Sequence, residues 1–248
     1  MSPTWLGRRI AGTGTGKGRL RGDPPIPDEQ RPDKKLLDDE MQQRVVWRIV
    51  ALLLDYPTQQ TLDILDGLHV VVGSLSAPAG PALASFVDHC RRTPPIELAA
   101  CYVETFDLRR RNCLHLSYYA YGDTRKRGMA LLRFKHAYRA AGVELGEHEL
   151  PDHLTVVLEF AATVDPVAGR RLLMEYRPVV ELLRLSLHDG ESPYRTVLDG
   201  LCTTLPELNT ADRRRVAELA AQGPPEEEVG LEPFAMDPAL QDQMGGRR

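Results

Sequence analysis

From Asp39 onward the chain carries apolar residues at helical spacing, and nowhere does it sustain the alternation that a half-buried strand needs. Val45, Val46, Ile49, Val50, Leu53 and Leu54 mark the first helix, which Asp55-Tyr56-Pro57 ends. A chain with this one period can cover its apolar stripes only by packing helix on helix. The predicted fold is therefore all-α, a single helical bundle of about eight to ten helices with disordered N- and C-terminal tails.

Punctuation residues divide the rest. Helices are expected at about 59–72 and 80–92, separated by Gly73 to Pro78. Thr93-Pro94-Pro95 supplies a cap and helix-compatible prolines for Glu97–Phe106, with Leu98, Tyr102 and Phe106 on one face. After Arg109-Arg110-Arg111 comes a short apolar and aromatic segment, Leu114–Tyr121, which Gly122-Asp123-Thr124 breaks. The same three residues cap a long helix with Leu131, Phe134, Tyr138 and Ala141 aligned and Gly142 as its stop. Pro151-Asp152 is expected to open the next helix, with Val157, Phe160, Ala161 and Val164 inward, and Asp165-Pro166 the one after. Pro178 breaks that helix, Ser192-Pro193 precedes Val197–Leu201, and Thr210 is the expected cap of a last helix to about Gln222.

Residues 1–38 are rich in Gly, Pro, Asp and Arg without apolar periodicity, so they read as a disordered extension; 39–222 is the helical domain and 223–248 an acidic, disordered tail. No apolar run reaches the roughly 18 residues that span a bilayer, so a soluble, cytoplasmic protein is expected. Arg8-Arg9 is not followed by the apolar core of an export signal. Cys90, Cys101, Cys113 and Cys202 form no C-x-x-C pair and no short Cys/His spacing, which points to reduced core thiols and no metal.

Three motif look-alikes fail on context. Ala11–Gly18 lacks the first glycine and the Ser/Thr of a phosphate loop. His148 and His153 are five apart with Pro151 between them, so they cannot share a helix face as zinc ligands. No Ser/His/Asp or Cys/His arrangement is legible, so no enzymatic chemistry and no cofactor is expected. The net charge of −4 argues against a general polyanion binder, yet Leu108–Arg139 holds nine Lys/Arg and one acid, Asp123. That stretch suits a solvated helix face, an acidic protein surface, or, as the main alternative function, a helical nucleic-acid-binding regulator.

The most distinctive block is YVETFDLRRRNCLHLSYYAYGDTRKRGMALLRFKHAYRAAGV, Tyr102 to Val143, followed by ELPDHL at Glu149–Leu154 and VVLEFAA at Val156–Ala162. With these motifs the chain, over about Gln43 to Leu205, resembles the nitrate reductase molybdenum cofactor assembly chaperones, also called the nitrate reductase delta subunit. His115-Leu116-Ser117 departs from the more typical tyrosine- and threonine-bearing segment, and the N-terminal extension is unusually long.

The resemblance implies an all-helical chaperone that binds the N-terminal segment of the apo nitrate reductase catalytic (alpha) subunit and keeps it competent for molybdenum cofactor insertion before membrane docking. It also implies no catalysis of its own, no nucleic-acid partner and no insertion into the membrane. Carried onto matching positions, it marks Tyr102, Phe106, Leu114, Tyr118 and Tyr119 as groove or groove-supporting residues. Asp123, Arg125, Arg127, Asp152 and His153 are the corresponding polar determinants. Core packing explains the aromatics equally well, and helix capping explains Asp123 better. Asp152 and His153 are expected to project from a first helical turn toward solvent.

Overall fold

The computed structural model describes residues 34–122, 124–146 and 149–223, with side chains from Asp38 onward. Residues 1–33 and 224–248 of the two expected disordered tails, the phosphate-loop look-alike, Asp123 and His148 lie outside the described residues, whereas 34–38 of the expected extension are helical. Twelve α-helices follow one another: α1 (Lys34–Leu53), α2 (Gln59–Asp63), α3 (Leu65–Ser74), α4 (Ala79–Arg92), α5 (Pro95–Tyr102), α6 (Leu116–Tyr121), α7 (Arg125–Ala140), α8 (Leu154–Thr163), α9 (Pro166–Glu175), α10 (Arg177–Asp189), α11 (Arg195–Cys202) and α12 (Thr210–Gln222). Ten of them have seven residues or more, and among the described residues there is no strand, so the expected all-α class is observed. None of these helices is long and apolar enough to cross a membrane.

The centre of the bundle is α8. Leu154, Val156, Val157, Leu158, Phe160, Ala161 and Ala162 are all buried, so this helix is apolar on every side, as a helix enclosed by neighbours must be. It packs against α1 and α9. Gly169 permits the close approach of α9, because a Cβ there would land on the Cα and Cβ of Ala161. On its other side α1 meets α11, and fully buried Trp47 donates from Nε1 to Thr204 Oγ1 at 2.9 Å. Arg48 of α1 forms an ion pair with Glu159 of α8. α4 packs on α3 and α11, and α10 on α11 and α12. Burial pushes the Cys90 thiol up to about 12 and the Cys202 thiol up to about 11, so both remain protonated at neutral pH.

Several boundaries differ from the sequence reading, each for a local reason. α1 starts at Lys34, five residues before Asp39. The expected 59–72 helix is two helices divided at Ile64. Thr93 ends α4 instead of capping α5, since its hydroxyl donates back to the His89 carbonyl. A π-turn at Val103–Asp107, closed by Leu108 N donating to Val103 O, follows α5. The last helix is capped by Asn209 in a reciprocal box with Asp212, one residue before Thr210. By contrast Asp165 caps α9 ahead of Pro166, and Gly142 ends α7 at φ +77°, both as the sequence indicates.

Candidate functional site

A buried polar cluster lies where α6, α7 and α8 begin. The segments before α6 and α8 form an isolated antiparallel bridge, His115 with His153, in which Leu116 N donates to Asp152 O at 3.0 Å and Leu154 N to Leu114 O at 2.9 Å. This pairing brings Asp152, fully buried, beneath the first turn of α6. Its Oδ2 accepts from Ser117 N at 3.2 Å and from Ser117 Oγ at 2.5 Å, and its Oδ1 lies 3.2 Å from His115 Nδ1. Arg127, from the first turn of α7, places its guanidinium 3.9 Å from Oδ2 while its Cζ sits 5.4 Å above the Tyr118 ring. Tyr138 donates to Pro151 O at 2.7 Å and fixes the turn that carries Asp152.

Asp152 is thus a cap, but of α6. The expectation that it projects toward solvent at its own helix start fails because α8 begins two residues later, at Leu154, and because an unpaired N-terminal amide of α6 is the nearer partner. Burial works to raise the carboxyl. The hydrogen bonds from His115 and Ser117, together with the positive charge of Arg127, outweigh it and hold the group below the ordinary carboxylate range. His153, half-buried, contacts Thr155 Oγ1 through Nδ1 at 2.6 Å, and its ring meets that of His115 edge-on at 4.9 Å between centroids. Burial foremost, then His115, lowers its pKa to about 4, against the opposing pull of Asp152.

These residues have the composition of a hydrolytic triad without its order. The carboxylate stands in the middle, and the Ser117 hydroxyl donates to it instead of to an imidazole, so Ser117 is not paired with the histidine base that such a triad uses. Among the described residues no group of three or more His, Cys, Asp or Glu side chains could hold a metal ion. The arrangement can orient helices and present a partly exposed rim of His115, Tyr118 and Arg127.

Both titrations carry the same sign. The His153 imidazole takes a proton near 6.5 in the unfolded chain but near 4 in the folded one, so stability declines as pH falls through that interval. The Asp152 contribution is intact above the unfolded carboxyl value and is lost only as pH drops through its lower folded one. The unfolding free energy at pH 5 should therefore lie roughly 2 kcal/mol below that at pH 7.5, from His153 alone. Urea melts at the two pH values check this, and His153→Gln should remove most of the difference; an equal pH dependence in that variant would assign it elsewhere.

The expected site residues fall into two groups. Tyr118, Arg127, Asp152 and His153 come together in this cluster, and Arg125 is exposed two residues earlier in the same turn of α7. Tyr102 and Phe106 belong instead to an aromatic core, with ring centroids 5.0 Å apart and Tyr194 at 4.8 Å from Phe106. Leu114 and Tyr119 are buried as well. Ser117, His115 and Tyr138 are the partners that sequence reasoning missed; His115-Leu116-Ser117 was visible only as a departure from the usual segment. The basic 108–139 stretch does not form one open face, since Arg127 turns inward and Arg133 pairs with Glu175 at 2.9 Å.

Comparison with known proteins gives this cluster its context. The model of the family described as "Nitrate reductase delta subunit" matches residues 73–217, which contain every one of its members. The chain is 42% identical over 160 residues to the nitrate reductase-like protein NarX of Mycobacterium tuberculosis, covering 64% of this chain but only 24% of that much longer relative. It is 32% identical over 178 residues to the nitrate reductase molybdenum cofactor assembly chaperone NarJ of Escherichia coli K12, covering 70% of this chain and 74% of the relative. It is also 27% identical over 170 residues to the probable chaperone of that name in Bacillus subtilis, covering 68% and 92%. With a family model spanning more than half of its length and a relative matched along most of both chains, this protein belongs to the nitrate reductase delta subunit family.

Proposed function

We propose that the protein is a maturation chaperone for a nitrate reductase, acting in the cytoplasm and catalysing no reaction itself. It binds the N-terminal segment of the apo catalytic subunit and keeps it competent for molybdenum cofactor insertion before membrane docking. The observation that carries this reading is the match to the Escherichia coli assembly chaperone along 70% of this chain and 74% of that one. The polar cluster supports it: a hydroxyl tied to a central carboxylate is suited to holding helices, and nothing in it is arranged for turnover.

Within the expected binding set, a partner can reach only the exposed or half-buried side chains, Tyr118, Arg125, Arg127 and His153. Tyr102, Phe106, Leu114, Tyr119 and Asp152 act by holding the helices that present them. A chaperone must also release its client, so an affinity near micromolar, about −8 kcal/mol, is appropriate. Calorimetry with a synthetic peptide of the catalytic subunit's extreme N-terminus should show one site of roughly that strength, while the purified protein alone reduces no nitrate. A folded full-length protein that binds no such peptide anywhere between pH 6 and 8 would overturn this mechanism.

A further inference from the structure

Between α1 and α9 runs a groove of about 780 Å³ whose apolar walls include Met41, Val167 and Met174. Met41 is 57% exposed and Val167 63% exposed, values unusual for large apolar side chains facing one another across a cleft. The rim is basic. Arg44 donates to the Ala162 carbonyl, whereas Arg170 and Arg171 are exposed and make no ion pair among the described residues. Of the two acids at the rim, Glu175 is neutralised by Arg133, leaving Glu40 against three arginines.

The chain itself supplies a segment of matching chemistry. After Gly223 come 25 residues, and their first twenty hold six acids and no base, with Val229, Leu231, Phe234, Met236 and Leu240 interspersed. Geography favours the same pairing. Leu219, in the last turn of α12, and Arg215, one turn before it, share a small cavity with Glu175 and Tyr176, and Glu175 is also a wall of the groove. The segment therefore leaves the fold beside the groove mouth, and even half of its extended reach of about 80 Å would carry it along α9.

We propose that Glu226–Leu240 docks in the groove between α1 and α9, its apolar side chains against Met41, Val167 and Met174 and its acids facing Arg44, Arg170 and Arg171. The occupant is intramolecular, so its local concentration is set by the short connection from Gly223 and weak contacts are enough to hold it.

The test uses the full chain with p-benzoylphenylalanine in place of Phe234, irradiated at low concentration and mapped by mass spectrometry. Adducts should form within the monomer, on peptides containing Met41, Val167 or Met174. Arg170→Glu with Arg171→Glu should cut their yield at least fivefold, and Glu226→Lys, Glu227→Lys and Glu228→Lys in the same chain should restore it. Adducts mapping outside α1 and α9, adducts only between two chains, or a yield indifferent to charge reversal would each overturn the proposal. The unsubstituted chain is mapped on its own, so a charge-reversed variant that misfolds does not decide the outcome.

Discussion

Replacing Asp152 with alanine should destabilise the protein by about 3 kcal/mol, the largest effect expected of any single polar side chain here. The carboxylate is inaccessible to solvent and collects hydrogen bonds from Ser117 N, Ser117 Oγ and His115, with Arg127 close by. Its removal leaves a buried hydroxyl and a helix-terminal amide unpaired and takes one negative charge away from the Arg127 guanidinium. For a domain of this size the melting temperature should fall by roughly 6–12 °C. Asp152→Asn keeps the shape and some of the bonding, so it should cost less. Peptide affinity, measured well below the new melting point, should change little by comparison, because no partner can touch this side chain. An unchanged melting temperature with a tenfold loss of affinity would mean that Asp152 is a contact residue after all.

Trp47→Ala should match or exceed that effect, at roughly 3–5 kcal/mol, through a different cause. The indole is fully buried on α1, the helix that packs against both α8 and α11, and its truncation opens a cavity that neighbouring helices can close only in part. The lost hydrogen bond is secondary, because Thr204 Oγ1 still donates to the Leu201 carbonyl. Trp47→Phe keeps most of the ring volume and should cost about 1–2 kcal/mol. Urea unfolding measures both: midpoints should shift with little change in slope, since the surface exposed on unfolding stays nearly the same. A Trp47→Ala midpoint within error of the parent would show that α1 is not a structural part of the bundle.

The helices were legible in the sequence because their signals are local. Val45 to Leu54 repeat at a helical period, Asp165-Pro166 starts α9 and Gly142 stops α7, each within a few residues. What escaped reading was non-local or conformational. The break at Ile64 falls inside a stretch that keeps its helical period, and the π-turn after α5 has no residue that announces it. The sequence marks Asp152 as a residue of interest but points to the wrong helix. Proximity along the chain favoured α8, whereas the amide it caps belongs to Ser117, 35 residues earlier. The same gap hid Ser117 and His115, because nothing within a helical turn of either one indicates a carboxylate partner.

The His115–His153 bridge is made by main-chain atoms, so it persists whatever side chains occupy those two positions. It ties off the intervening chain, containing α6 and α7, into a closed excursion with a common base. Closing such a loop has an entropic cost that grows only slowly with length, so insertions between α7 and α8 would be tolerated far better than disturbance of the two bonds at its neck. Parting of the neck alone would remove the cap of α6, whereas α7 would stay anchored through Phe134 and Tyr138, which are fully buried beside Tyr176 and Phe160. Amide exchange at Leu116 and Leu154 would then report one shared event, distinct from global unfolding, in which the fold loosens at this place while the rest stays shut.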